Sequence, residues 1–231
     1  MYDVIILAGG FGTRLQSISS GIPKALMPVG DSVYLDLLLE KLFQYAISHV
    51  YLSLYFKAEL FKEYVNNSSY KKKLTCIVEP KPLGTGGAID YVIQKTDVSS
   101  PFFVMNGDSL SSIDLNQMMK EFLKNHYKAI MGISEVIDAE RYGMVSLKNG
   151  KVISFNEKGI SEPGLINNGH YILRKEALDG YDGAFSLEKD FFPKLAQISE
   201  LGAFAVENDN FVDMGIPEDY EKLCNIYKGV N

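Results

Sequence analysis

Val4-Ile5-Ile6-Leu7-Ala8-Gly9-Gly10-Phe11-Gly12-Thr13-Arg14-Leu15 is the stretch that decides the reading of this chain. Its first five residues are apolar without alternation, which predicts a short strand buried on both faces. The glycines follow the strand directly. In open parallel sheets ligands bind beyond the carboxyl ends of the strands. Glycines there let the backbone approach a polyphosphate and turn its N–H groups toward the oxygens. Arg14 adds a planar, permanently charged fork for the same oxygens. Two commoner phosphate loops do not fit. The dinucleotide fingerprint would use Gly10 and Gly12 and then require glycine at position 15, which is Leu15. A P-loop string is absent from the chain.

Outward from this loop, apolar strand-like runs alternate with helical patterns. Tyr34 to Ser48 places Leu35, Leu38, Leu39, Leu42, Phe43 and Ala46 on one helical face. Strands are predicted over residues 50–55, 74–78, 102–105 and 129–136, and helices over 58–66, 85–95 and 115–125. This rhythm predicts a parallel sheet with right-handed crossovers. It then changes. Residues 144–147 and 152–155 flank Lys148-Asn149-Gly150-Lys151, a hairpin signal. Further strands are expected over 169–174, 204–206 and 211–214, and helices over 186–196, capped by Ser186, and 217–227, opened by Pro217. The fold class is α/β: a Rossmann-like, mostly parallel sheet flanked by helices, with a β-hairpin elaboration in the second half. Residues 1–231 read as a single domain.

The chain has 231 residues, 46% of them hydrophobic, and a net charge of -6. Its longest lysine run is Lys71-Lys72-Lys73, which argues against a nucleic-acid partner. No apolar stretch is long enough for a membrane span, and the first residues lack the pattern of a signal peptide. Cys76 and Cys224 lie far apart in apolar contexts and are expected to be buried thiols. A cytoplasmic enzyme is expected. The sequence does not fix assembly, and a homodimer is compatible with it.

The stretch Leu7 to Leu15 resembles the signature loop of the sugar-1-phosphate nucleotidylyltransferases. Pro23-Lys24, the run Glu79 to Ala88, Asn106-Gly107-Asp108, Glu157-Lys158 and the run Phe211 to Pro217 are similar to that family's further motifs, in order. The resemblance spans nearly the whole chain. It implies a GT-A-like nucleotide-diphospho-sugar transferase fold, and attack of a sugar 1-phosphate on the α-phosphorus of a nucleoside triphosphate. The attacking oxygen is already an anion, so no general base is needed. The obstacle is repulsion among phosphoryl groups, which calls for cations and positioning.

The resemblance assigns the parts. Arg14, Lys24 and Asp108 are the catalytic residues. Leu7, Ala8, Gly9, Gly10, Gly12, Thr13, Glu79, Pro82, Gly84, Thr85 and Gly107 join them in holding the nucleotide. Arg14 would take the leaving pyrophosphate, and Lys24 the α-phosphate or the sugar phosphate. Mg2+ is the implied cofactor, with Asp108 and Asp213 as its carboxylates; magnesium commonly takes one or two carboxylates plus phosphate oxygens. Asn106, Tyr142, Gly143, Glu157, Lys158, Asn168 and Gly169 are the sugar-phosphate side. Glu79 facing a base suits the paired donors of guanine.

The wording of residues 83–89, 185–191 and 213–220 is similar to the short bacterial D-glycero-D-manno-heptose 1-phosphate guanylyltransferases, making GTP and that heptose phosphate the favoured substrates and a GDP-heptose for surface polysaccharide the product. Ala25-Leu26-Met27-Pro28 after Lys24 departs from that branch. It leaves mannose 1-phosphate guanylyltransferases and muramate-type uridylyltransferases open. A non-catalytic regulatory subunit on the same fold would be expected to have lost Arg14, Lys24, Asp108 or Asp213, and all are present. A glycosyltransferase would show a D-x-D motif where Asn106-Gly107-Asp108 stands.

Overall fold

The computed structural model describes residues 1–12, 15–19, 21–155, 161–206, 209 and 211–227. A nine-stranded sheet organises them. In chain order the strands and helices are β1 (Tyr2–Leu7), α1 (Gln16–Ser19), β2 (Pro28–Val29), β3 (Ser32–Val33), α2 (Tyr34–Leu42), β4 (Ile47–Leu54), α3 (Ala58–Asn67), β5 (Leu74–Val78), α4 (Gly84–Lys95), β6 (Phe102–Asn106), β7 (Ser109–Leu110) and α5 (Leu115–Asn125). They continue with β8 (Ala129–Val136), β9 (Val145–Lys148), β10 (Lys151–Phe155), β11 (Gly164–Leu173), α6 (Phe192–Gln197), β12 (Leu201–Val206), β13 (Val212–Asp213) and α7 (Pro217–Tyr227). The sheet order is β5-β4-β1-β6-β11-β8-β12-β10-β9.

β5, β4, β1 and β6 are parallel neighbours, and so are β8 and β12. Only β11 and β10 run against the rest. The expected α/β class and mostly parallel sheet are therefore present. β1 is the switch point: the chain leaves it for β4 on one side and reaches β6 on the other. Its core residues Val4, Ile5 and Ile6 are buried on both faces, feeding one apolar cluster above the sheet and one below. The hairpin signal is also present, with Asn149 and Gly150 both at positive φ between β10 and β9. Ser186 caps as expected, its hydroxyl accepting from the Lys189 N–H at 3.2 Å, but the helix behind it opens with a π-helical turn over Leu187–Phe191.

Three expectations need correction. α2 stops at Leu42, six residues early, because Ile47 is already paired with Tyr2 at the start of β4. Cys76 and Cys224 are half-exposed free thiols, not buried ones. β11 starts at Gly164, five residues before the predicted strand.

Under β8 and β11 lies a buried polar knot. The Asp209 carboxylate accepts from the hydroxyls of Ser111 and Ser112, from the Ser112 N–H and from Ser134. These bonds hold its pKa below the usual carboxylate range against the opposing effect of burial. Asn168 donates to Ser134 at 3.0 Å, and His170 meets the Asn168 carbonyl at 3.0 Å. Burial pushes the His170 pKa down to about 4; the carbonyl opposes this and Lys41 adds to it.

The folded chain thus keeps His170 neutral while the unfolded chain takes a proton near pH 6.5. Stability present above pH 6.5 is lost as pH falls toward 4, by about 2–3 kcal/mol. Denaturant unfolding of wild type and His170→Phe at pH 7 and pH 4.5 should show this drop in wild type and a smaller one in the variant. An equal drop in both would remove His170 as its source.

Candidate active site

The carboxyl ends of the parallel strands meet at one level. Leu7 pairs with Ser53 of β4 and with Asn106 of β6. The Gly107 N–H donates to the Leu7 carbonyl at 2.9 Å, and a Cβ on Gly107 would lie 2.8 Å from that oxygen. Glycine at 107 is therefore what lets the end of β6 close onto the start of the glycine loop. At Gly10 a Cβ would meet nothing within 4 Å, so the loop is open there.

Two adjoining chambers lie beyond these ends. The larger, about 380 Å³, is lined by Leu7, Gly9, Gly10, Phe11, Ser53, Tyr55, Glu79, Pro82, Leu83, Gly84, Thr85, Ala88, Asn106 and Asp108. The smaller, about 80 Å³, is lined by Leu7, Ala8, Gly10, Gly12, Lys24, Ala25, Gly107 and Asp108. Leu7, Gly10 and Asp108 belong to both. The first has mostly apolar walls with two carboxylates, Glu79 and Asp108, and the Asn106 amide, as a base and sugar need. The second is mostly loop backbone and small apolar residues, with the Lys24–Asp108 ion pair as its charged groups, and its N–H groups and lysine suit phosphate.

Lys24 comes from the turn after Pro23, and its Nζ lies 2.9 Å from Asp108 Oδ2. β13 pairs antiparallel with β7, placing Asp213 opposite Ser109, next to Asp108, and the Met214 N–H donates to the Asp108 carbonyl at 2.8 Å. The two aspartates singled out in the sequence, far apart in the chain, are therefore brought together by this short ladder, Asp213 on it and Asp108 immediately before it. Among the described residues no group of three or more His, Cys, Asp or Glu forms a metal cage by itself. Two neighbouring carboxylates fit a hard cation that completes its shell with water and substrate phosphate oxygens.

Glu79 lines the larger chamber, but its carboxylate is already engaged. It accepts from the Leu83 N–H at 3.0 Å and from Ser53 at 3.3 Å. Burial raises its pKa, and those two bonds oppose the rise. The turn 79–83 is thereby held against β4. Gly84 follows at φ 72°, and a Cβ there would stand 2.6 Å from the Phe185 carbonyl oxygen, which accepts from the N–H groups of Gly86 and Gly87. The glycines of this motif serve the close docking of the 183–188 segment. Thr85 takes part in the same docking: its hydroxyl donates to Glu188 at 2.7 Å and accepts from the Leu187 N–H at 2.8 Å.

On the sugar side the structure separates the candidates. Asn106 lines the larger chamber, and Gly169, at φ 79°, packs so closely on it that a Cβ would lie 2.8 Å from Asn106 Nδ2. Asn168 is a correction. It is fully buried, and its side chain turns to Ser134 and Ser111 in the polar knot on the far face. A register irregularity in β11 between Asn167 and Tyr171 sets these faces, and one residue's shift exchanges them. Asn167 is the residue that faces Tyr171, donating to its hydroxyl at 2.8 Å.

Tyr142 packs edge-on to Phe211 at 5.8 Å and accepts from Arg141 at 3.0 Å. Arg141 also pairs with Asp219 at 2.6 Å, so the loop carrying Tyr142 and Gly143 is latched to the segment carrying Asp213. Thr13, Arg14, Glu157 and Lys158 lie outside the described residues. Sequence reading missed Phe11, Ser53, Tyr55 and Glu188. Phe11 carried a signal, since a large apolar residue between glycines is 50% exposed at the chamber mouth.

Sheet and chambers together define an α/β protein with a nucleotide-sized site at the switch point of its strands, one end mostly apolar and the other lined by glycine-loop backbone, Lys24 and Asp108. The chain belongs to the nucleotidyl transferase family, whose model matches residues 3–228. It is 37% identical over 223 residues to the D-glycero-alpha-D-manno-heptose 1-phosphate guanylyltransferase of Campylobacter jejuni, covering 94% of this chain and 96% of that one. It is 33% identical over 232 residues to mannose-1-phosphate guanylyltransferase 1 of Arabidopsis thaliana, covering 96% of this chain and 64% of that one. The crystal structure of HddC from Yersinia pseudotuberculosis complexed with GMP-PN superposes with a TM-score of 0.87 at 38% identity, over 99% of this chain and all of that one. No helix among the described residues is long and apolar enough to cross a membrane.

Proposed function

We propose that this chain is a guanylyltransferase that joins GTP to D-glycero-α-D-manno-heptose 1-phosphate, releasing pyrophosphate and a GDP-heptose for surface polysaccharide in the cytoplasm. The observation that carries this reading is the meeting of a base-sized and a phosphate-sized chamber at Leu7, Gly10 and Asp108, with Gly12 and Lys24 on the smaller chamber's wall and Asp213 paired with Ser109, the residue after Asp108. Likeness over nearly the whole length to a heptose 1-phosphate guanylyltransferase favours this substrate pair.

The base and ribose lie in the larger chamber, between the Pro82–Thr85 turn and the glycine loop. Glu79 keeps carboxylate lone pairs for a guanine edge while anchoring the turn. The triphosphate crosses Gly10 and Gly12 into the smaller chamber. Arg14 and Thr13 take the pyrophosphate end. Lys24 neutralises the α-phosphate and releases Asp108 from its ion pair as it does so. Asp108 and Asp213 hold Mg2+, which supplies positive charge to the phosphate oxygens when bound. Asn106, Tyr142, Gly143, Gly169, Glu157 and Lys158 meet the sugar phosphate. Its phosphate oxygen attacks in line, and the chain's residues align it and screen repulsion.

The second reading is mannose 1-phosphate as acceptor, favoured by likeness to the plant mannose enzyme. Pyrophosphate release from GTP, UTP, CTP, ATP and dTTP against a panel of sugar 1-phosphates separates the readings. Turnover with GTP and the heptose phosphate is expected. Turnover with mannose 1-phosphate alone moves the chain to the second reading, and turnover with UTP or dTTP but not GTP sinks the base assignment.

A further inference from the structure

Tyr34 opens α2 and is 0% exposed. Its hydroxyl has no hydrogen-bond partner among the described residues. An unpaired buried hydroxyl is costly, and phenylalanine would fill the same space without that cost. The ring sits in an apolar cluster with Leu15, Met27, Val29, Met214 and Leu223. Three of these come from the segments that build the site: Leu15 from the glycine loop, Met27 from the lysine turn, and Met214 from beside Asp213. The Tyr34 N–H also donates to the Met27 carbonyl at 3.0 Å. The cluster is thus the floor on which the charged residues stand, and the hydroxyl is its one unpaired polar atom among the described residues.

Met214, which packs in this cluster with Tyr34, directly follows Asp213 and donates its N–H to the Asp108 carbonyl at 2.8 Å, so the ring packs against the junction of the two segments that carry these carboxylates. Burial first, and then these two carboxylates, hold its pKa well above tyrosine's ordinary value. It therefore keeps its proton and can only benefit from an acceptor. We infer that Tyr34 is a positioning residue whose hydroxyl donates a hydrogen bond to the Asp108–Asp213 carboxylate pair when a divalent cation draws the two together, fixing how they face the ion. Carboxylates that ligate metals are themselves held by outer hydrogen bonds, and loss of such a partner weakens metal binding. The inference rests on the reading of Asp108 and Asp213 as the metal carboxylates.

Mn2+ binding to the whole chain, followed by its paramagnetic resonance signal, tests it alongside thermal melting of wild type, Tyr34→Phe and Asp108→Asn. Tyr34→Phe should bind Mn2+ roughly tenfold more weakly and melt at the same temperature or higher. The Mg2+ needed for half-maximal turnover should rise by the same factor. Wild-type Mn2+ binding in Tyr34→Phe, whatever its melting temperature, would leave the hydroxyl a packing feature and overturn the inference. Wild-type Mn2+ binding in Asp108→Asn would overturn the carboxylate assignment itself, and the role of Tyr34 with it.

Discussion

Asp108→Asn and Asp213→Asn should each lower turnover by roughly 10³-fold or more, a loss of about 4 kcal/mol of transition-state stabilisation. Asparagine keeps the shape and one oxygen of aspartate and removes only the charge. Asp108 borders both chambers and Asp213 adjoins it through the β7–β13 pair, so each loss would leave one carboxylate where the proposed metal pair has two. Folding should be little affected. The backbone bonds that join the two segments, Met214 N–H to Asp108 carbonyl among them, do not involve the side-chain charge. Steady-state kinetics with a circular-dichroism melt for each variant checks both halves of the expectation. A variant that turns over at a near-normal rate has a side chain that does not belong to the metal pair. A variant that loses its melting transition would instead give Asp108 or Asp213 a structural role.

Much of this site is local in the chain and so was legible in it. The strand Val4–Leu7 and its glycines carry their own signal, because a doubly buried strand needs an uninterrupted apolar run and a ligand-facing turn needs backbone room. Asp108 and Asp213 each end an apolar segment, where a lone carboxylate is costly, whereas Lys24 follows a polar turn and is singled out by the family resemblance alone. What could not be read depends on contacts distant in sequence. Asn168 and Asn167 differ by one position, and only the pairing of β11, with its irregularity, decides which turns to the polar knot and which to Tyr171. Thr85 reads as a nucleotide residue until Glu188, 103 residues away, takes its hydroxyl. Glu79 reads as a free carboxylate until Leu83 and Ser53 are seen to occupy it. Asp209 sits among polar loop residues and shows its importance only when four donors from two other segments converge on it. α2 overran in the sequence reading because Phe43 and Ala46 continue its apolar stripe, whereas the pairing of β4 with β1 wins that stretch.

Lys24→Ala should reduce kcat by about 10²- to 10³-fold, with a smaller change in the KM for GTP. The lysine is 15% exposed and paired with an Asp108 that is 32% exposed. The pair is partly buried but still reached by solvent, which screens it, so the melting temperature should move by only a few degrees. On the proposed reading the functional cost is larger, because the charge would act on phosphate oxygens in a partly enclosed chamber as repulsion peaks. Removing a cation whose effect is greatest in the transition state lowers kcat more than it raises KM. Lys24→Arg restores the charge but not the shape. Gly12 sits close enough that a Cβ there would be 3.2 Å from the lysine's Cγ, so a planar fork will not follow the same path. Only partial recovery is expected. The double variant Lys24→Ala with Asp108→Asn should be scarcely slower than Asp108→Asn alone, since groups that act as a unit are strongly non-additive. Additive losses would show that Lys24 and Asp108 contribute to separate steps, and their 2.9 Å contact would then be a resting-state ion pair only.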